Sequence, residues 1–203
     1  MNDEIDITEL ASVKECFSRP LFYILLAILI PWGLFYSPWE WLFTVPFAVG
    51  LALLTTIDIK HMILPHIITI PMTILALVLH PLMGGHIFMP ALGAIIGFIL
   101  FFLIFYISYK AKGTPSMGFG DVILLTMLGA WLGIAGLPLV LIYASTFALT
   151  FVLLKTIYKK GFNNTPFPYG PFLCLGGWFT FLYHEETWAV ILNFRETILT
   201  MIG

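Results

Sequence analysis

The chain has 203 residues, of which 60% are hydrophobic and only 10% charged, with a formal net charge of −2. A soluble domain carries roughly 25% charged residues, and a fold of this size leaves too much surface exposed to hide so much apolar material from water. Lipid is the remaining place for it, and without a basic cluster the chain does not read as a nucleic-acid binder.

The first nineteen residues hold five acids (Asp3, Glu4, Asp6, Glu9, Glu15) and two bases (Lys14, Arg19). That is not the basic start of a signal peptide, so this stretch is expected to be retained. The spacing of Leu10, Val13, Cys16 and Phe17 suits a short amphipathic helix resting on the membrane surface; a frayed acidic tail is the other reading. Cys16 and Cys174 are far apart and form no C-x-x-C pair, so each reads as an inert, packed thiol.

A helix needs about 20 apolar residues to cross the hydrocarbon, and shorter ones are tolerated. Pro20–Trp39 carries no charge and reads as the first span, and Trp41–Ile57 as the second. The uncharged run that follows is too long for one crossing. His80-Pro81-Leu82-Met83-Gly84-Gly85-His86 punctuates it, giving a third span near Ile63–Leu79 and a fourth near Ile87–Ser108. Gly133 to Pro138 divides the next run into a fifth span near Val122–Leu132 and a sixth near Leu137–Leu154, and Pro171–Tyr183 is the seventh. Trp188–Met201 is interrupted by Asn193, Arg195 and Glu196. An isolated charge at mid-depth costs at least ~2.5 kcal/mol, so this piece either crosses as a buried helix or lies at the interface.

Orientation supports the count. Lys14 and Arg19, then Lys60, then Lys110 and Lys112, then Lys155, Lys159 and Lys160 fall in alternate connections, and the intervening ones hold no Lys or Arg. Eight of the nine basic residues obey this scheme, with Arg195 the exception. By the positive-inside rule the N-terminus is cytoplasmic. The expected fold is therefore an all-α polytopic membrane bundle of about seven or eight helices. It comprises an acidic cytoplasmic segment, residues 1–19, and one membrane-embedded domain, residues 20–203.

Most of the eleven acids sit in the tail or the outer loops, and Asp58 and Asp121 do not. Asp58 ends span two and Asp121 begins span five, both on the cytoplasmic side of this scheme. Two carboxylates brought together at a lipid-lined helix end share one proton, leaving an acid and a base at the same pH. That pair can activate water against a peptide carbonyl and protonate the leaving amine. Singly, each acid has a plainer reading. Asp121 stands where a helix N-cap is expected, and Asp58 beside Lys60 is compatible with an interfacial ion pair.

The setting of Asp121 adds information, because Gly118 and Gly120 precede it and allow close backbone approach. Met117-Gly118-Phe119-Gly120-Asp121-Val122, followed by Leu128-Gly129-Ala130-Trp131-Leu132-Gly133, resembles the signature of the type IV prepilin peptidases, the Gly-x-Gly-Asp aspartyl membrane proteases. Asp58-Ile-Lys-His-Met-Ile-Leu64-Pro65-His66, continuing to Thr69-Ile70-Pro71, is similar to the family's first catalytic block. Phe167-Pro-Tyr-Gly170-Pro171-Phe172-Leu173 is similar to its Pro-Phe-Gly-Pro segment. The three blocks run in family order from about Asp58 to Gly177.

The resemblance implies that Asp58 and Asp121 are the catalytic dyad of an aspartic endopeptidase in the bacterial inner membrane, with Gly118 and Gly120 shaping the backbone beside it. It implies cleavage of prepilins or pseudopilins after a glycine at the cytoplasmic face. There are departures. His66 stands where relatives have Asp or Asn, Ile123 where a Lys is common, and Pro115 and Ser116 replace acidic and glycine residues. Many bacterial relatives also carry an insertion with two C-x-x-C pairs associated with N-methylation; the short connections here contain none, which points to processing without methylation.

Lys60, His61 and His66 are candidates for support around Asp58. The plainer reading makes the histidines interfacial groups bonded to backbone or water, and Lys60, Lys110 and Lys112 topology determinants. No cofactor is implied, and the donor set for a metal is incomplete. The rival from another class is a proton-coupled transporter or channel component using the two carboxylates as a relay, but the outer halves of the spans are nearly free of ionisable groups. A structural subunit in which both acids merely cap helices is a further alternative. A presenilin-like protease shares Gly-x-Gly-Asp, but it carries Tyr-Asp in its first motif, where Ile57 stands here.

Overall fold

The computed structural model describes residues 9, 11–36, 41–114, 117–159 and 167–202, and side chains at all of these except 36, 112, 159 and 194–202. Among the described residues every regular element is helical. A short helical segment, 11–16, leads into α1 (Pro20–Tyr36), followed by α2 (Trp41–His61), α3 (His66–Leu82), α4 (Phe88–Lys112), α5 (Phe119–Lys159) and α6 (Gly170–Ile202). At 1.5 Å per residue α2 is about 31 Å long, enough to cross the hydrocarbon. Trp41–His61, Phe88–Ala111 and Phe119–Tyr158 are long and apolar enough to span a membrane, and α1 and α3 are shorter apolar helices. The chain is a helical membrane bundle.

The 41 residues of α5 would measure about 60 Å if straight, twice the membrane core. The helix is broken at Gly133, which has φ 67° and ψ 179°, a conformation open essentially only to glycine. Gly133 lies beside Met89 near the start of α4, whereas Phe151 packs on Phe167 and Phe172 at the start of α6. The chain therefore reverses at this break, as the Gly133–Pro138 punctuation leads one to expect. A second break falls at Tyr183 in α6, with φ −117° and ψ 23°, so the last segment continues as helix beyond the seventh span. The connection at 37–40, which contains the expected end of the first span, lies outside the described residues.

The centre is aromatic. Phe47 stacks on Trp131 at 4.9 Å between ring centroids, and Phe43 meets the same indole edge-on at 4.5 Å. Trp178 and Phe181 of α6 complete the cluster. Trp131 is buried, and its indole N–H donates to the Met72 carbonyl at 3.1 Å, giving the polar end of the ring the partner that burial requires. α4 crosses α5 where Gly93 and Gly129 bring backbone against backbone, the use of small residues by which membrane helices come close.

Within the described part of the segment before α1, residues 11–16 are helical and dock on α2. Cys16 is only 2% exposed and Ser12 is buried, although Phe17 remains exposed. Ser12, Glu15, Cys16 and Arg19 pack on Thr56, Ile57, Lys60 and His61 of α2. Leu10 is outside the described residues.

Candidate active site

α2 ends in a buried polar stretch, Thr55, Thr56 and Asp58. Thr56 satisfies its hydroxyl within its own helix by donating to the Ala52 carbonyl at 2.8 Å. Asp58, 5% exposed, has no such outlet: its Oδ2 is buried without a hydrogen-bond partner among the described residues. The Gly170 amide at the start of α6 is the backbone group that polarises this carboxylate. A carboxylate at the C-terminal end of its own helix faces an unfavourable dipole, and the N-terminus of α6 offsets it.

The helix closes at Met62, a left-handed non-glycine residue with φ 52° whose N–H donates to the Asp58 carbonyl at 2.9 Å. Left-handed caps normally use glycine, and a side chain there costs about 1–2 kcal/mol. The turn then passes through Leu64 and Pro65, the residue preceding α3.

Asp121 enters from α5. The helix begins at Phe119, so Asp121 lies inside the first turn and is not the N-cap expected from the sequence. Gly118, with no side chain to cap anything, precedes the helix, and the carboxylate of Asp121 reaches back to its amide, as the third helical residue does in a capping box. Asp121 is 9% exposed and lies within electrostatic range of Asp58. Each acid thus meets the free amides of a helix N-terminus, which are ready partners for negative charge.

Leu64 joins the three sequence blocks. A β-carbon added at Gly120 would stand 2.8 Å from Leu64 Cβ, and one added at Gly170 would stand 3.3 Å from Leu64 Cδ1 and 2.5 Å from Asp58 Oδ2. Both glycines let backbone close on the turn after Asp58. Gly118 is exposed, and a β-carbon there would lie a loose 3.7 Å from Asp121 Oδ2. Cys174, 2% exposed, is buried within electrostatic range of both acids. Tyr169 is also within range of Asp121, and burial holds its phenol above the ordinary 10.

The type IV leader peptidase family profile matches residues 45–153, a stretch that contains both acids. The chain belongs to the type IV leader peptidase family. Among its leader-peptidase relatives are proteins named prepilin leader peptidase/N-methyltransferase from three bacteria. That of Stutzerimonas stutzeri is 30% identical over 148 residues, 72% of this chain and 51% of the relative. That of Aeromonas salmonicida is 32% identical over 138 residues, 67% and 47% respectively. That of Dichelobacter nodosus is 33% identical over 154 residues, 70% and 51%. The chain therefore spans about half the length of the curated relatives it matches. No solved structure matches it. Bacterial relatives together with apolar helices of spanning length make this member of the leader peptidase family a bacterial membrane protein.

The flanking candidates are placed differently from the acids. Lys60 donates to Glu15, and His61 Nε2 lies 3.4 Å from the same carboxylate, so neither pairs with Asp58. His66 meets Phe119 edge-on at 6.1 Å, with its Nδ1 buried and unpartnered among the described residues. Pro115 and Ser116 lie outside the described residues. No group of three or more metal-binding side chains occurs among the described residues. Pro90-Ala91-Leu92 is a Pro-Ala-Leu triplet such as the presenilin-like reading requires, but it falls near the start of α4, at the far end of the bundle. That end carries a cavity of about 480 Å³ lined by Phe43, His80, Trp131 and His184 and remote from both acids.

Sequence reasoning did not assign Leu64, Gly170, Glu9 or Glu15 to the site. Gly170 had a signal, its place in the third block. The two glutamates gave none, because they act on groups 45 and 58 residues away.

Proposed function

We propose that the chain is a membrane aspartic endopeptidase that removes the basic leader of type IV prepilins or pseudopilins by cleavage after a glycine. The observation that carries this reading is the approach of two buried carboxylates to within electrostatic range, from the end of α2 and the start of α5, at one end of a membrane bundle whose family is that of the type IV leader peptidases. A water between the pair loses a proton to the ionised member and attacks the scissile carbonyl. The protonated member then gives its proton to the leaving amine. Backbone amides at the two helix N-termini keep both carboxylates oriented without spending their side chains on other partners.

On this reading residues 1–19 are a cytoplasmic segment and residues 20–203 one membrane-embedded peptidase domain of the inner membrane, its acids facing the cytoplasm. The alternation of lysine-bearing connections supports that orientation. Exposed Ile59, Met62, Ile63 and Ile67 surround the Asp58 turn with apolar surface, which suits a substrate whose stem is itself in lipid.

The test is cleavage of a prepilin by the purified protein in liposomes, comparing wild type with Asp58→Asn and Asp121→Asn. Both isosteric variants should fold and lose at least about 10²-fold in rate, the scale of a lost general acid or base. Wild-type cleavage by either variant would remove that aspartate from the mechanism.

A further inference from the structure

The turn that carries Asp58 into α3 is held from outside itself. On its near side, Glu15 accepts from Lys60 and from Arg19, the latter at 2.9 Å, and lies 3.4 Å from His61. On its far side, Glu9 Oε2 accepts the Ile67 backbone N–H at 3.3 Å, and Glu9 is 7% exposed. Ile67 is the second residue of α3, so its amide is one of the orphan donors of a helix start. Pro65 precedes that helix and supplies no side-chain cap. The N-terminal segment therefore supplies the cap that the local sequence lacks.

Between these two anchors lie Met62, in its left-handed conformation, and Leu64, which packs between Gly120 and Gly170. A backbone in a sparsely populated region persists only where its surroundings over-determine it. The segment itself is fixed by Ser12, whose hydroxyl donates to the Glu9 carbonyl at 2.7 Å, and by the burial of Cys16 against α2.

We propose that the N-terminal segment is a clamp on the Asp58–Ile67 turn, in which Glu9 and Glu15 are positioning residues that hold Asp58 in register with Asp121. The proposal rests on Asp58 being one of the two catalytic carboxylates. It assigns function to a segment that precedes the family match at residue 45.

The full-length protein in liposomes tests it with Glu9→Ala, Glu9→Gln and Glu15→Ala. Glu9→Ala should speed backbone hydrogen exchange in the 62–67 stretch and lower kcat about tenfold or more while KM stays within about twofold, because a small misplacement of a reacting group acts on the chemical step. Glu9→Gln retains an acceptor oxygen and should restore both readings, whereas a general loss of packing would not distinguish the two variants. Glu15→Ala should loosen the same stretch from its other side. Unchanged exchange in both alanine variants overturns the clamp, and so does faster exchange with an unchanged kcat. If Asp58→Asn cleaves normally while Glu9→Ala still releases the turn, the catalytic reading has failed and the clamp stands as a structural device alone.

Discussion

Gly170 stands so close to Asp58 that a β-carbon on it would come 2.5 Å from Oδ2 and 3.0 Å from Cγ. Real β-carbons do not approach a carboxylate oxygen so closely, so Gly170→Ala must push Asp58 or the start of α6 aside. The overlap is confined to one helix end, so the bundle should keep its helicity. Cleavage should fall by about 10²-fold, the cost of misplacing a catalytic group by about 1 Å. Circular dichroism and prepilin cleavage on one preparation check both halves.

The two glycines ahead of Asp121 should behave differently. Gly120→Ala sets a methyl 2.8 Å from Leu64 Cβ, whereas Gly118→Ala meets nothing closer than Asp121 Oδ2 at 3.7 Å. Gly118→Ala is expected to retain cleavage within a few-fold and Gly120→Ala to lose most of it. Equal loss in the two variants would show that the motif is read by the substrate and not by Leu64.

Hydrogen bonds from Lys60, then Arg19, hold the Glu15 carboxyl down from the ordinary 4.5 to about 2. A depressed carboxylate contributes stability above its unfolded pKa and loses it as pH falls through its folded value. The grip on α2 should therefore be complete above about pH 4.5 and weaken progressively toward pH 2. Because the Glu15 side chain is 41% accessible to solvent, added salt should weaken it as well. Hydrogen exchange of residues 58–67 at several pH values, corrected for intrinsic rates, checks this, and Glu15→Gln should remove the local change.

Gly133→Ala meets no steric obstacle closer than 3.8 Å, yet φ 67° with ψ 179° is closed to a side chain. The variant should lose about 1–3 kcal/mol of stability through backbone strain alone, seen as a lower melting temperature with activity retained in the cold.

Much of this was legible because membrane sequences are punctuated coarsely. Glycine and proline at Gly133–Pro138 marked the reversal inside α5, and the scarcity of charge made Asp58 and Asp121 conspicuous. The manner in which Asp121 is held was not legible: it was expected as a cap, and Gly118 moves the helix start so that the carboxylate caps from within the first turn. Lys60 and His61 looked like neighbours of Asp58 because sequence proximity cannot say which way a side chain leaves a helix. Their partner Glu15 sits in a segment whose sequence fits either an amphipathic surface helix or a frayed acidic tail, and only tertiary docking reveals its role.

The two native thiols, Cys16 and Cys174, are each 2% exposed, and burial raises the Cys16 thiol above its ordinary pKa of 9. Maleimides react with the accessible thiolate, so the unmodified chain should be silent to them in intact vesicles. A cysteine introduced in place of exposed Lys110 or His86 then becomes the sole reporter. With a reagent that does not cross lipid, the natural sequence serves as its own cysteine-less background for mapping which loops face which compartment.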